Sequence, residues 1–163
     1  MMWAILSVMI VLSFIGIGAI DRVQSLNVPA ASSQPAALAT GQDFMIYRNA
    51  VLAYAEENAS VGTGGNANVL PQFLVLPAGV AVSNLPAGIG NLITPGPNGS
   101  RIVYTWAPAP TGTVAETVMQ FGGDVSIGRA EGTVWDTPAY GTMGTLPAGI
   151  PSGDMISVVQ LGG

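Results

Sequence analysis

Residues 1–20, MMWAILSVMIVLSFIGIGAI, carry no ionisable side chain, and Asp21 and Arg22 follow them directly. As an α-helix this run is about 30 Å long at ~1.5 Å per residue, which matches the hydrocarbon thickness of a bilayer. A helix that is apolar on every side needs enclosure all round, and one small domain can hardly supply it. Two uses remain. A cleaved secretion signal wants a basic start, a shorter apolar core and a small-x-small cleavage site. No Lys or Arg precedes the run, and Gly16-Ile17-Gly18 and Val28-Pro29-Ala30 are poor cleavage sites. An uncleaved anchor over 1–22 is the expectation. The sparse cations downstream suit export, so the C-terminal domain is expected in the periplasm, on the outer side of a bacterial inner membrane. Arg22 alone specifies orientation weakly.

The residue types that are missing narrow the chemistry. The 163 residues include no His, no Cys and no Lys, against four Arg and nine acids, for a formal charge of −5. Nucleophile–His dyads, Cys nucleophiles, Lys Schiff bases and Cys/His zinc sites are excluded. A P-loop lacks its lysine. Four arginines make no basic stripe for a phosphate backbone, so no nucleic-acid partner is expected. No disulfide can form.

Twenty-two Gly and twelve Pro scattered among Val, Ile, Leu and Thr point to short strands joined by turns after the first segment. Residues 23–41 read as a tether and helix start, with Ser33 as N-cap and Pro35 in the first turn. In residues 42–58, Phe44, Tyr47, Val51 and Tyr54/Ala55 recur at helical spacing, so a long helix with one apolar face is expected to lie across a sheet. Asn58 to Asn68 is a Gly/Asn-rich loop, and Gly62-Thr63-Gly64-Gly65 within it reads as a turn, since neither a preceding strand nor a lysine supports a phosphate loop. Asn58-Ala59-Ser60 and Asn98-Gly99-Ser100 match the glycosylation pattern only as short chance matches do. The phrase Leu-Pro-Ala-Gly occurs at Leu76–Gly79, Leu85–Gly88 and Leu146–Gly149, at spacings too irregular for a solenoid. Each copy reads as a tight turn, with Pro at its second position, that brings a leucine onto the core. Strands are expected at 101–106, 125–127, 132–135 and 155–159. A short helix is expected at 113–121, with a capping box of Thr113 and Glu116.

No catalytic constellation emerges. Asp43, Glu56, Glu57, Glu116, Asp124, Glu131, Asp136 and Asp154 are spread over predicted surfaces and turns. A glycosidase pair would need two of them at a fixed separation across a cleft, and none of the runs matches a calcium loop. Trp106, Trp135 and Tyr140 are candidates for a binding surface, although aromatics at strand positions more often belong to a core. The expected sites are therefore empty: no catalytic, cofactor-binding or metal-binding residues, and no cofactor.

The fold class that follows is α+β: an N-terminal transmembrane helix (1–22), the tether, and an exported domain over 42–163 with a mostly antiparallel sheet, one long helix and one short helix. This layout, with Phe44-Met-Ile-Tyr-Arg-Asn-Ala-Val-Leu-Ala-Tyr54, Ile102-Val-Tyr-Thr-Trp106 and Leu146-Pro-Ala-Gly-Ile-Pro-Ser-Gly-Asp154, resembles the PilM-type proteins of the thin (type IVb) pilus systems of conjugative plasmids. The resemblance implies a non-enzymatic, single-pass inner-membrane component of pilus assembly or pilin transport, whose partners are other pilus or inner-membrane proteins and, through residues 1–20, the membrane. It implies no catalytic residues. A homo-oligomer is compatible with it. Pilins carry a processed leader and an early acid that this run lacks, which sets a pilin-like minor subunit or secreted binding module second. A carboxylate-based hydrolase ranks below both.

Overall fold

A computed structural model describes residues 34–162. The helix α1 (Gln34–Glu57) is followed by β1 (Gly90–Pro95), β2 (Arg101–Ala107), α2 (Thr113–Gln120), β3 (Ile127–Glu131), β4 (Val134–Thr137), β5 (Gly141–Thr145) and β6 (Met155–Leu161). The strands form one sheet in the order β1-β2-β6-β3-β4-β5, and every neighbouring pair is antiparallel. The sheet thus consists of the hairpin β1-β2 and the meander β3-β4-β5, joined by β6 between them.

Strand alternation sorts side chains onto two faces. On β2, Val103, Thr105 and Ala107 share a face, and the β2–β6 register places Val159, Ser157 and Met155 opposite them. This is the face that α1 covers. Tyr47, Ala50, Val51 and Ala55 pack with Val69, Leu74, Ile93 and Val103. Phe44 and Met45 pack with Ala107, Val118, Ile127 and Met155, so α2 closes the same layer. The other face gathers Tyr104, Ala130, Trp135, Ile150 and Ile156, with Leu92, Ile102, Trp106, Leu146 and Val158 half-buried around them.

Side-chain hydrogen bonds fix α1 on its face. Buried Asn91 on β1 donates to the Tyr47 hydroxyl at 2.6 Å and to the Val69 carbonyl at 2.8 Å, and accepts from the Val69 N–H at 2.7 Å. Arg48 donates to the Ser157 and Ser126 hydroxyls, both at 2.8 Å, and pairs with Asp124 at 3.1 Å. At the end of α1, the buried Arg101 guanidinium donates to the carbonyls of Ala55, Asn58 and Val61 at 2.7, 3.1 and 3.2 Å. Helix carbonyls left without an N–H partner carry partial negative charge, so a cation there satisfies them and the helix dipole together. Farther back, Gly41 lets α1 approach α2 so closely that a Cβ at this position would stand 2.3 Å from the Thr117 Oγ1.

The sheet edges are managed in different ways. Ala67 and Ile93 exchange two backbone hydrogen bonds along the outer side of β1. On β5 the pairing shifts from Trp135–Gly144 to Asp136–Thr142, leaving Met143 as a bulged residue. A bulge twists an edge and hinders strand addition.

Several expectations need correction. An architecture built on a transmembrane helix is replaced by a small α+β domain with an antiparallel sheet and two helices. Among the described residues no helix is long and apolar enough to cross a membrane. The physical reason is visible in α1, which has the length but carries Asp43, Arg48, Glu56 and Glu57 and buries only one stripe. Residues 1–22, where the anchor was expected, and Ser33 lie outside the described residues. The single-pass inner-membrane localisation with a periplasmic C-terminal domain is accordingly not supported. The helix expected at 42–58 begins at Gln34, inside the stretch read as tether and helix start. No capping box forms at α2: Gly112 is the N-cap with φ 91°, and Thr113 is the first helical residue, buried, with its hydroxyl unpaired. The Leu-Pro-Ala-Gly turns start one residue later than expected. Val80 N–H bonds to the Pro77 carbonyl and Ile89 N–H to that of Pro86, so glycine takes the third turn position at φ 87° and 85°, where a side chain would be strained. Their leucines, Leu76 and Leu85, do pack against the core, as does Leu146 from the third copy.

Candidate interaction surface

The structure scatters the residues that sequence alone would nominate for a site. Trp135 is buried and Trp106 half-buried in the core layer away from α1, while Tyr140 is exposed. Trp106 lies against Gly90, where a Cβ would come within 2.5 Å of the indole ring. The two tryptophans build sheet packing, and exposed Tyr140 does not join them in a common platform. Of the acids, Glu56, Glu57 and Glu131 are exposed, Asp124 is held by Arg48, and Glu131 lies 3.7 Å from Arg129. Asp154 departs from the solvated expectation. It is buried, one carboxylate oxygen has no partner, and burial pushes its carboxyl above the ordinary value, with Arg129 pulling the other way. Among the described residues no three acids converge in a way that could hold a metal ion. Gly62, in the glycine-rich loop, serves packing: a Cβ there would stand 2.4 Å from the Ile93 side chain.

A different feature does form a continuous surface. The outer side of α1 and the segment 70–77 enclose an open trough of about 370 Å³, lined by Ile46, Asn49, Ala50 and Ala53 from the helix and Val75, Leu76 and Pro77 from the segment. A smaller recess of about 40 Å³ continues it along Ala53, Tyr54 and Glu57, with Phe73 opposite. The helix side follows from the period: Ile46, Ala50, Ala53 and Glu57 recur at four- and three-residue steps, a stripe that borders the core-facing Tyr47, Val51 and Ala55 and shares the buried Ala50 with them. Segment 70–77 divides its side chains. Leu74 and Leu76 pack toward the core, whereas Leu70, Phe73 and Val75 point outward at 45%, 55% and 85% exposure. Phe73 leans on Tyr54 with ring centroids 6.4 Å apart. Contiguous exposed apolar side chains around a trough mark an interaction site in a folded domain. The trough lining is apolar apart from Asn49, and Tyr54 and Glu57 border the recess that continues it. Sequence reading missed it because its two walls lie some twenty residues apart in the chain.

A family model named PilM matches residues 9–158. The chain belongs to the PilM family. The crystal structure of a protein described as PilM from Escherichia coli B7A is similar to it, with a TM-score of 0.58 and 20% identity, over 82% of this chain and 98% of that one. At that identity the likeness is one of fold. Comparison with curated proteins returned no match. The family match takes in α1, segment 70–77 and most of β6, so both walls of the trough fall within the part that defines PilM-family membership.

Proposed function

We propose that this PilM-family chain is a non-catalytic component of a pilus-assembly apparatus in a conjugative transfer system, and that it works by contact with other pilus-assembly proteins. Family membership over residues 9–158 is the observation that carries the reading. The residue inventory supports it, since the chain lacks His, Cys and Lys, and so does a domain whose open feature is an apolar trough.

The test is genetic. Removing the coding sequence from a strain that makes thin pili should abolish the pili and lower mating transfer, and the full chain supplied in trans should restore both. Replacing Asp43, Glu56, Glu57, Glu116, Asp124, Glu131, Asp136 and Asp154 one at a time by their amides should leave restoration intact. Unchanged pili and transfer after removal would sink the assembly role. Loss of restoration with an amide whose fold is intact and whose partner binding is unchanged would sink the non-catalytic part. Recovery of the chain as a regular constituent of sheared fibres would point instead to a minor subunit.

A further inference from the structure

We propose that the trough between α1 and residues 70–77 receives an amphipathic helix from a different protein, one that carries a lysine or arginine beside its apolar ridge. The inference rests on the assembly-component reading and specifies the chemistry of the contact.

The shape argues for a helix. Ala50 and Ala53 form the floor, and short side chains let a second backbone come close. The larger Ile46 from the helix and Val75 from the segment line the same trough, so an aliphatic ridge meets apolar surface on both walls. Val75 and Phe73 gain little burial within the domain, because Leu74 and Leu76 already occupy the inward positions. Strand addition is less suited, since one sheet edge is bridged by Ala67 and the other is bulged at Met143.

The charge argues for a different protein. Glu57 lines the far end of the trough, and exposed Glu56 stands beside it. Among the described residues neither has an ion-pair partner. A second copy of this chain is poorly equipped to supply one. It has no lysine, and among the described residues its arginines are already engaged: Arg48 is held by Asp124, Arg101 is buried against helix-end carbonyls, and half-exposed Arg129 lies beside Glu131, while Arg22 lies outside the described residues. Two copies meeting here would instead bring acids together within an already acidic pair. A basic residue flanking an apolar ridge answers both features of the trough.

The probe is a synthetic Leu/Ala-ridged helix of about eighteen residues, long enough to be helical on its own, made in two forms with Lys or Glu flanking the ridge. Amide shifts of the isotope-labelled full chain report where it binds. The expected result is shifts confined to residues 46–57 and 70–77, with the Lys form binding about two- to fivefold more tightly, the range of one exposed ion pair. Glu57→Lys should invert that order. Ala53→Trp, at an exposed helix position that leaves the core untouched, should fill the trough and remove binding by both forms while thermal unfolding stays unchanged. Equal affinity for the two forms, shifts centred elsewhere, no binding of either form, or undiminished binding by Ala53→Trp would overturn the proposal. The pilus phenotype is not the readout here, so failure of this test leaves the assembly role standing, and failure of the genetic test leaves the trough chemistry measurable.

Discussion

The two faces of the sheet are covered by different kinds of contact. On the α1 face, apolar packing is accompanied by long-range side-chain hydrogen bonds at Tyr47, Arg48 and Arg101, each tying the helix to a strand or loop distant in sequence. On the opposite face the cover comes from the turns and strands around Trp135, Leu146 and Ile150, and it leaves Leu92, Ile102, Trp106 and Val158 half-buried. Apolar packing alone tolerates sliding, because it is non-directional. Directional bonds set one position of a helix along a sheet. The difference teaches that α1 is held as a fixed platform, which is what an outer trough of defined shape requires.

Five single substitutions test that contrast, beginning with the largest expected effect. Phe44 is fully buried between α1, α2 and the sheet. Phe44→Ala should cost about 3–5 kcal/mol, measured by chemical unfolding. Ile102→Ala on the half-buried face should cost less than half as much, and equal losses would break the comparison. Arg101→Met removes the donor to three carbonyls at the end of α1. The expected loss is about 1.5–3 kcal/mol, since these bonds involve a charged group. Hydrogen exchange should quicken first in residues 52–57.

Gly41→Ala sharpens the contrast at the α1–α2 crossing. A methyl group there collides with the Thr117 hydroxyl, which donates to the Thr113 carbonyl at 2.7 Å. Overpacking costs about 1–3 kcal/mol, against which better helix propensity returns up to about 1 kcal/mol. The net loss should disappear in the double variant with Thr117→Ala. The smallest effect depends on pH. Burial raises the Asp154 carboxyl above its ordinary 3.8, so the folded protein holds this proton to a higher pH than the unfolded chain does. That contribution is complete below the unfolded value and is lost as pH rises through the folded one. Asp154→Asn, which cannot ionise, should therefore be more stable than the parent near neutrality, and the gap should close on acidification. A gap that widens in acid would show the ionised form to be the favoured one.

Much of the sheet was legible because β-branched and aromatic residues mark their own strands. Arg101 to Trp106 and Met155 to Val159 lie within β2 and β6. Other parts were hidden for physical reasons. Gly141-Thr-Met-Gly-Thr145 has poor intrinsic strand preference and becomes β5 by pairing with β4. Gly90–Pro95 sits among turn phrases, and its glycine, which signals a turn in isolation, makes room for the Trp106 ring. The capping box at Thr113 failed because burial of that side chain won over a local bond to the backbone. Of the candidate surface, the helix stripe could be traced in the sequence, but nothing there separates Val75 from its inward neighbours Leu74 and Leu76. Only the fold reveals that Leu74 and Leu76 have taken the inward places.

The position of β6 sets the order in which the domain can be completed. It is the last of the six strands to leave the ribosome, yet it lies in the middle of the sheet, between β2 and β3. Until it emerges, the nascent chain can form one hairpin and one three-stranded meander with no backbone bond between them. Its seven residue pairs with β2 then close the long loop between Ala107 and Met155, a late and slow step by the entropy of ring closure. During synthesis the middle of this sheet is an open slot, and the domain depends on filling that slot with its own strand before a foreign one arrives.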